Sequence, residues 1–115
     1  MGDKQVPQRR ELVPGTLEMP ILKTLMRGAL HGYGIAQHIR QTSDEVLQVE
    51  EGSLYPALQR LQLKDWVESR WQMSPHNRRA RYYRLTPAGR KQLQVEESAF
   101  QQVIRAITRV MRTAE

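Results

Sequence analysis

Residues 50–71, EEGSLYPALQRLQLKDWVESRW, begin as a helix and close as a strand. Between Gly52 and Lys64 the apolar residues Leu54, Ala57, Leu58 and Leu61 recur at helical spacing, so one face of this segment is expected to be buried. Ser53 is a candidate cap, and Pro56 falls in the first turn, where a missing N–H costs little. The remaining face carries Ser53, Tyr55, Pro56, Gln59 and Arg60, whose side chains donate hydrogen bonds, stack or pair with an anion. From Trp66 the period shortens to two, with Val67, Ser69 and Trp71 alternating against Glu68, Arg70 and Gln72.

Working outward, residues 73–80 read MSPHNRRA, a turn-forming run with two arginines at its far side, and Ala80–Leu85 is again extended. This is a β-hairpin with a basic tip, and Trp66, Trp71, Tyr82 and Tyr83 read as its core. Thr86-Pro87 then supplies a cap and a first-turn proline for a helix running to the C-terminus. Upstream, Leu17, Ile21, Leu22, Leu25 and Met26 form a helical stripe over Thr16–Arg27 that ends before Gly28. Pro20 is accepted there because it lies near the first turn. A second helix is expected from Gly32 or Tyr33 to Gln41, with Ile35, Ala36 and Ile39 inward. Residues 1–11 are polar and read as a flexible arm, with Arg9 and Arg10 at the edge of order. The expected organisation is therefore an arm (1–11), a globular unit (12–86) and a long terminal helix (87–115).

At 115 residues, 39% of them hydrophobic, the chain is long enough for one modest core. It has no cysteine, no long apolar run and no signal-peptide core, and a cytoplasmic location without membrane contact is expected. The net charge of +6 is local. Residues 1–50 balance six basic against six acidic side chains, and residues 92–115 balance three against three. Residues 51–91 hold nine basic and three acidic, so the whole surplus sits there. A basic patch of this kind fits a polyanionic partner, although a solvated surface would look the same.

Position decides between them. Three helices followed by a two-stranded hairpin describe a winged helix-turn-helix, an α+β fold that is mainly α. In that geometry the third helix enters the major groove of double-stranded DNA and the wing reaches phosphates or the minor groove. The positive surplus falls on the third helix, the hairpin and its return strand.

The segments PGTLEMPILKTL (14–25), HGYGIAQHI (31–39), EEGSLYPALQRL (50–61 in register with the opening stretch) and RRARYYRLTPAGRKQL (78–93) resemble PadR-type transcriptional regulators over roughly residues 12–93. The resemblance implies a dimeric winged-helix regulator, usually a repressor. It matches Tyr33, Ser53, Tyr55 and Arg60, with the wing arginines, to DNA-contacting positions. Many members carry Glu-Gly after the third helix; here Lys64-Asp65 stands there, which leaves that turn open.

Each residue also has a plainer reading. Tyr55 lies off the buried stripe, which favours a phosphate or base contact over packing on the hairpin. Tyr33 follows Gly32 at a helix start, where a phenol bonds a phosphate beside backbone N–H groups or packs over the first helix. Arg60 pairs with Glu51 or Asp65 in solution, or is recruited by DNA. Ser53 reads first as a cap, compatible with a groove contact. Arg78, Arg79 and Arg81 are either solvated hairpin charges or phosphate ligands, and their clustering beside a turn favours phosphate. RNA binding lacks an exposed aromatic platform.

No enzyme, cofactor or metal is expected. His31, His38 and His76 fall on a turn, a helix and a wing tip, without the carboxylate spacing of a triad or metal site. Gly28, Gly32 and Gly34 match no phosphate-binding loop.

The terminal helix, about 39 Å long from Pro87 to Arg112, raises the question of assembly. Leu93, Phe100 and Ile107 repeat every seven residues, as do Val103 and Val110, and Ile104 and Met111. The stripe exceeds what a small winged helix covers, so a homodimer interface through these residues is expected, with part of the helix folded over its own first helix. A two-fold dimer implies a pseudo-palindromic operator. By resemblance to some small members, an aromatic on this helix is expected to line an interface pore for flat hydrophobic compounds; Phe100 is at the matching position, and Met19 on the first helix is the residue expected opposite it. Phe100 as simple core, in a ligand-independent dimer, is the alternative.

Overall fold

The computed structural model describes residues 10–11 and 16–113, so most of the arm expected at 1–11 lies outside the described residues. Helix α1 (Glu18–Leu25) buries Ile21, Leu22 and Leu25, one turn apart, and is two residues shorter at each end than the stripe suggested. Pro20 sits in its first turn, where a backbone N–H has no helical acceptor, and the Thr24 hydroxyl donates to the Pro20 carbonyl at 2.8 Å. Helix α2 (Gly32–Thr42) buries Ile35 and Ile39 against it.

Helix α3 (Glu51–Leu63) buries Leu54, Ala57, Leu58 and Leu61, the expected stripe. Its cap is Glu50, and no side chain bonds the cap position. Ser53 is therefore not the cap, because the helix begins two residues before it and the Ser53 N–H already donates to the Glu50 carbonyl at 3.0 Å.

The turn after α3 keeps its tight form without glycine. Asp65 adopts φ 63°, the Asp65 N–H donates to the Gln62 carbonyl at 3.0 Å, and the Trp66 N–H reaches the Leu61 carbonyl at 3.0 Å. This pair of bonds closes the helix as a terminal glycine would, and a short acidic side chain tolerates the left-handed conformation better than most.

Strands β4 (Val67–Met73) and β5 (Arg79–Leu85) pair antiparallel from Val67 opposite Leu85 to Met73 opposite Arg79. A short strand absent from the sequence reading, β2 (Leu30–His31), adds to the free edge of β5, so the sheet has three strands in the order β2-β5-β4. A separate parallel pair joins β1 (Arg10–Glu11) to β3 (Leu47–Gln48). Val67, Tyr83 and Leu85 turn into the same core as the helices. Three helices with a hairpin wing form the winged-helix architecture.

Helix α4 (Pro87–Arg112) is seated on this core by its first two turns. The Thr86 hydroxyl accepts from the Gly89 N–H at 3.0 Å and donates to the Asp65 carbonyl at 2.6 Å. Gly89 lies directly on the Trp66 carbonyl, where any side chain would overlap the oxygen. Leu93, expected on a dimer stripe, is 2% exposed and belongs to the chain's own core, because the seat at Gly89 presses this turn onto α1 and the sheet. Farther on, Lys23 and Glu97 pair at 3.2 Å, and no later described residue is buried. The radius of gyration, 16.4 Å, exceeds the roughly 13 Å of a compact 100-residue domain because α4 projects.

Candidate nucleic-acid interface

The basic surplus of residues 51–91 is sorted by the pleat of the hairpin. On the outer face Arg84 is tied to Glu68 at 2.6 Å. On the inner face, continuous with the core, Arg79 and Arg81 are exposed and have no carboxylate partner among the described residues. The wing tip is built by Ser74: its N–H donates to the Arg78 carbonyl at 2.7 Å, and its hydroxyl accepts from the Arg78 N–H at 3.2 Å. Asn77 takes φ 61° in this turn, which leaves Arg78 at the far corner facing solvent.

Opposite the wing's inner face lie the start of α2 and the first turns of α3. His31 caps α2, its Nδ1 accepting from the Gly34 N–H at 3.0 Å, which in the neutral ring leaves the proton on Nε2. Tyr33 is 66% exposed and Tyr55 44% exposed. Gly32 makes room for Tyr55: a Cβ there would stand 2.5 Å from the phenol oxygen. The two phenols thus share the opening turn of α2 as their floor. Between this floor and Arg79, Arg81 and Trp71 runs a cleft of about 860 Å³. Beneath it, burial holds the Tyr83 phenol above its ordinary pKa, partly offset by the Arg81 charge, so Tyr83 stays neutral.

A hydroxyl couples the two walls. Ser69 Oγ accepts from Gln62 Nε2 at 3.0 Å and from Arg81 Nε at 2.9 Å, linking α3 to the return strand. Gln59 is exposed on the outward face of α3. Arg60, also exposed, lies instead on the flank toward α1, and its Nε donates to Glu18 Oε2 at 2.7 Å, so its partner is neither Glu51 nor Asp65. Glu18 is only 13% exposed, which makes this pair a clasp between helices rather than a loose surface contact. Ser53 is half-buried in the first turn.

The structure therefore brings Tyr33, Tyr55, Arg79 and Arg81 to one cleft, leaves Arg78 at its tip and Gln59 beside it, and turns Arg60 away. Trp71, expected in the hairpin core, stands 53% exposed on the cleft wall because the core ends beneath Ser69.

A second surface lies on α4. Phe100, Val103, Ile104, Ile107, Val110 and Met111 are all exposed. Phe100 and Met19 meet in an apolar groove of about 690 Å³ between α1 and α4, with Pro20, Leu47, Val95 and Val103. Val95 was missed by the seven-residue repeat; the row Val95–Ala99–Val103, at four-residue spacing, was the signal for it. Among the described residues no group of histidines and carboxylates is placed to hold a metal, and no helix is long and apolar enough to cross a membrane.

The sequence profile of the PadR-like family of transcriptional regulators matches residues 21–95. A solved transcriptional regulator from Clostridium thermocellum is 28% identical, with a TM-score of 0.76 over 88% of this chain and 95% of its own. A PadR family transcription regulator from Clostridium difficile is 25% identical, with a TM-score of 0.75 over 84% of this chain and 99% of its own. A PadR-like transcriptional regulator from Bacillus cereus is 26% identical, with a TM-score of 0.75 over 88% and 95% respectively.

Proposed function

The chain belongs to the PadR-like family of transcriptional regulators, and from that membership we propose that it is a homodimeric repressor that binds a pseudo-palindromic DNA operator. As a DNA-binding regulator it is not an enzyme. The observation that carries the DNA reading is the cleft in which arginines without a carboxylate partner among the described residues face two exposed phenols. In this reading Arg78, Arg79 and Arg81 hold phosphates, and Tyr33 bonds a phosphate at the start of α2. Ser53, Tyr55 and Gln59 meet base edges or the adjoining backbone, with Arg60 reaching DNA only if it leaves Glu18. The site of action is the cytoplasm.

Dimerisation is supported by the bare stripe Phe100–Val103–Ile104–Ile107–Val110–Met111, which projects beyond the body. Two copies joined through it would set their α3 helices about one DNA turn, ~34 Å, apart. The groove at Met19 and Phe100 supports release by a small hydrophobic or aromatic effector. The same groove borders the stripe, so a partner's α4 can fill it instead, which favours the second reading: a ligand-independent dimer acting as a constitutive repressor or interaction module.

The test is to sequence the DNA that the purified protein selects from a random or genomic pool. A two-fold-related motif is expected. Replacing Arg78 and Arg79 with alanine should then weaken binding to the motif and to scrambled duplex alike, lowering the slope of log K against log salt by about 0.9 per lost phosphate contact, doubled in a dimer. Selection of no motif, together with an unchanged slope, defeats the reading.

A further inference from the structure

Trp71 occupies a position that folding alone does not account for. The register sets it opposite Arg81, on the face that Val67, Tyr83 and Leu85 turn toward the core. The core ends beneath Ser69, however, and the indole beyond it is half in water. It is not bare: the Arg79 guanidinium lies 5.0 Å from the ring centroid and that of Arg81 lies 5.7 Å away. Both arginines border the cleft with Tyr55 and Tyr33 on its far side.

The stack has a chemical consequence. A guanidinium that spends its flat face on an aromatic ring keeps its N–H edge directed sideways, where it matches a phosphate. Arg81 is further held by the bond from its Nε to Ser69. Arg79 and Arg81 are two residues apart on one strand, about 6.8 Å at the usual rise, a separation comparable with that of neighbouring phosphates on one DNA strand. Between two such phosphates lies a deoxyribose, the one weakly polar surface of the backbone, and the indole stands against both arginines.

We propose that Trp71 is a DNA-contacting residue whose indole packs against a deoxyribose of the strand held between α3 and the wing, while Arg79 and Arg81, stacked on it, engage the flanking phosphates. This rests on the DNA-binding reading of the cleft. It makes the wing a reader of backbone path rather than a loose cationic arm. The paired bases of a duplex are not available to the indole, so the contact is independent of sequence.

The full chain is titrated with a mixed-sequence 30-base-pair duplex at low salt, and acrylamide quenching of indole emission is followed. The chain has two tryptophans, so Trp66→Phe isolates Trp71 and Trp71→Phe isolates the half-buried Trp66. With Trp71 as the sole indole, saturating duplex should lower the quenching constant at least twofold, whereas Trp66 should not respond. Trp71→Ala should weaken duplex binding roughly tenfold, the effect of losing burial of about 50 Å² of apolar surface. The slope of log K against log salt should change by less than for Arg79→Ala. Because Trp71 is exposed, its replacement leaves the core filled, and circular dichroism checks this. Unchanged quenching of Trp71 at saturating duplex overturns the proposal while leaving DNA binding intact. Protection by a single strand of the same sequence, with none by duplex, overturns it in favour of base stacking. A wild-type protein that binds no duplex at low salt overturns both this contact and the reading beneath it.

Discussion

The two halves of α4 follow one amphipathic pattern and meet opposite fates. In the first half Gly89 and Leu93 are buried, the Thr86 hydroxyl closes the helix end, and Lys23 and Glu97 pair across to α1. In the second half Val103, Ile104, Ile107, Val110 and Met111 are exposed along one continuous helix. The seven-residue spacing does not distinguish them, since Leu93 falls in the same repeat as Phe100 and Ile107. What differs is whether the body of the domain extends far enough to cover them. An apolar period therefore identifies a face that needs covering, and only the tertiary structure says by what.

The largest effect expected from breaking this contrast comes from removing the helix beyond residue 94, the whole second half included. A chain ending before residue 95 should sediment as a monomer or aggregate and lose sequence-specific binding. If it still sediments as the native dimer, the stripe is not the interface. Next, Leu93→Ala should cost about 2–5 kcal/mol of stability, as a fully buried leucine does, at every protein concentration. Ile107→Ala should instead leave stability nearly unchanged in dilute solution and make the melting temperature less dependent on concentration, since a weaker dimer adds less stability by mass action. Equal behaviour of the two variants in chemical denaturation would erase the distinction between the halves.

Gly89→Ala tests the seat itself. In an exposed helix this change stabilises by up to about 1 kcal/mol, but here the new methyl meets the Trp66 carbonyl, so a net loss of about 1–3 kcal/mol is expected. A rise in the urea midpoint would show that the seat yields. The smallest effect falls at the border of the halves. Phe100→Ala should reduce the thermal shift produced by planar aromatic compounds by more than it weakens DNA binding. The absence of any shift with a broad panel of such compounds on the wild type supports the ligand-independent dimer instead.

Much of this fold was readable from periodicity. The stripes of α1, α2 and α3, the switch to alternation at Trp66 and the Thr86-Pro87 helix start are local patterns, and local patterns suffice where a face is either wholly buried or wholly exposed. The failures share one cause, which is distance along the chain. β2 is two residues long and exists only because the edge of β5, some fifty residues later, offers it partners. Arg60 sits on α3 with Glu51 and Asp65 nearby in sequence, yet its partner is Glu18, 42 residues away. Trp71 continues the inward alternation of Val67 and Ser69, and nothing in that alternation marks where the core beneath it stops. Leu93 fits the seven-residue repeat as well as Phe100 does, although one lies in the core and the other does not.

The Gly89 seat also has a mechanical side. From that point to Arg112 the helix runs about 35 Å without a further buried side chain beyond Leu93. A pivot at the Trp66 carbonyl, with the Lys23–Glu97 pair giving way, would make it an arm of that length. A rotation of about 5° there moves the far end by roughly 3 Å, a quantity that follows from the helix length alone. In a pair of such molecules joined at their arms, that small angle sets the span between the two DNA-facing clefts. Half-site spacing would then be tuned at a glycine that touches neither the DNA nor the partner.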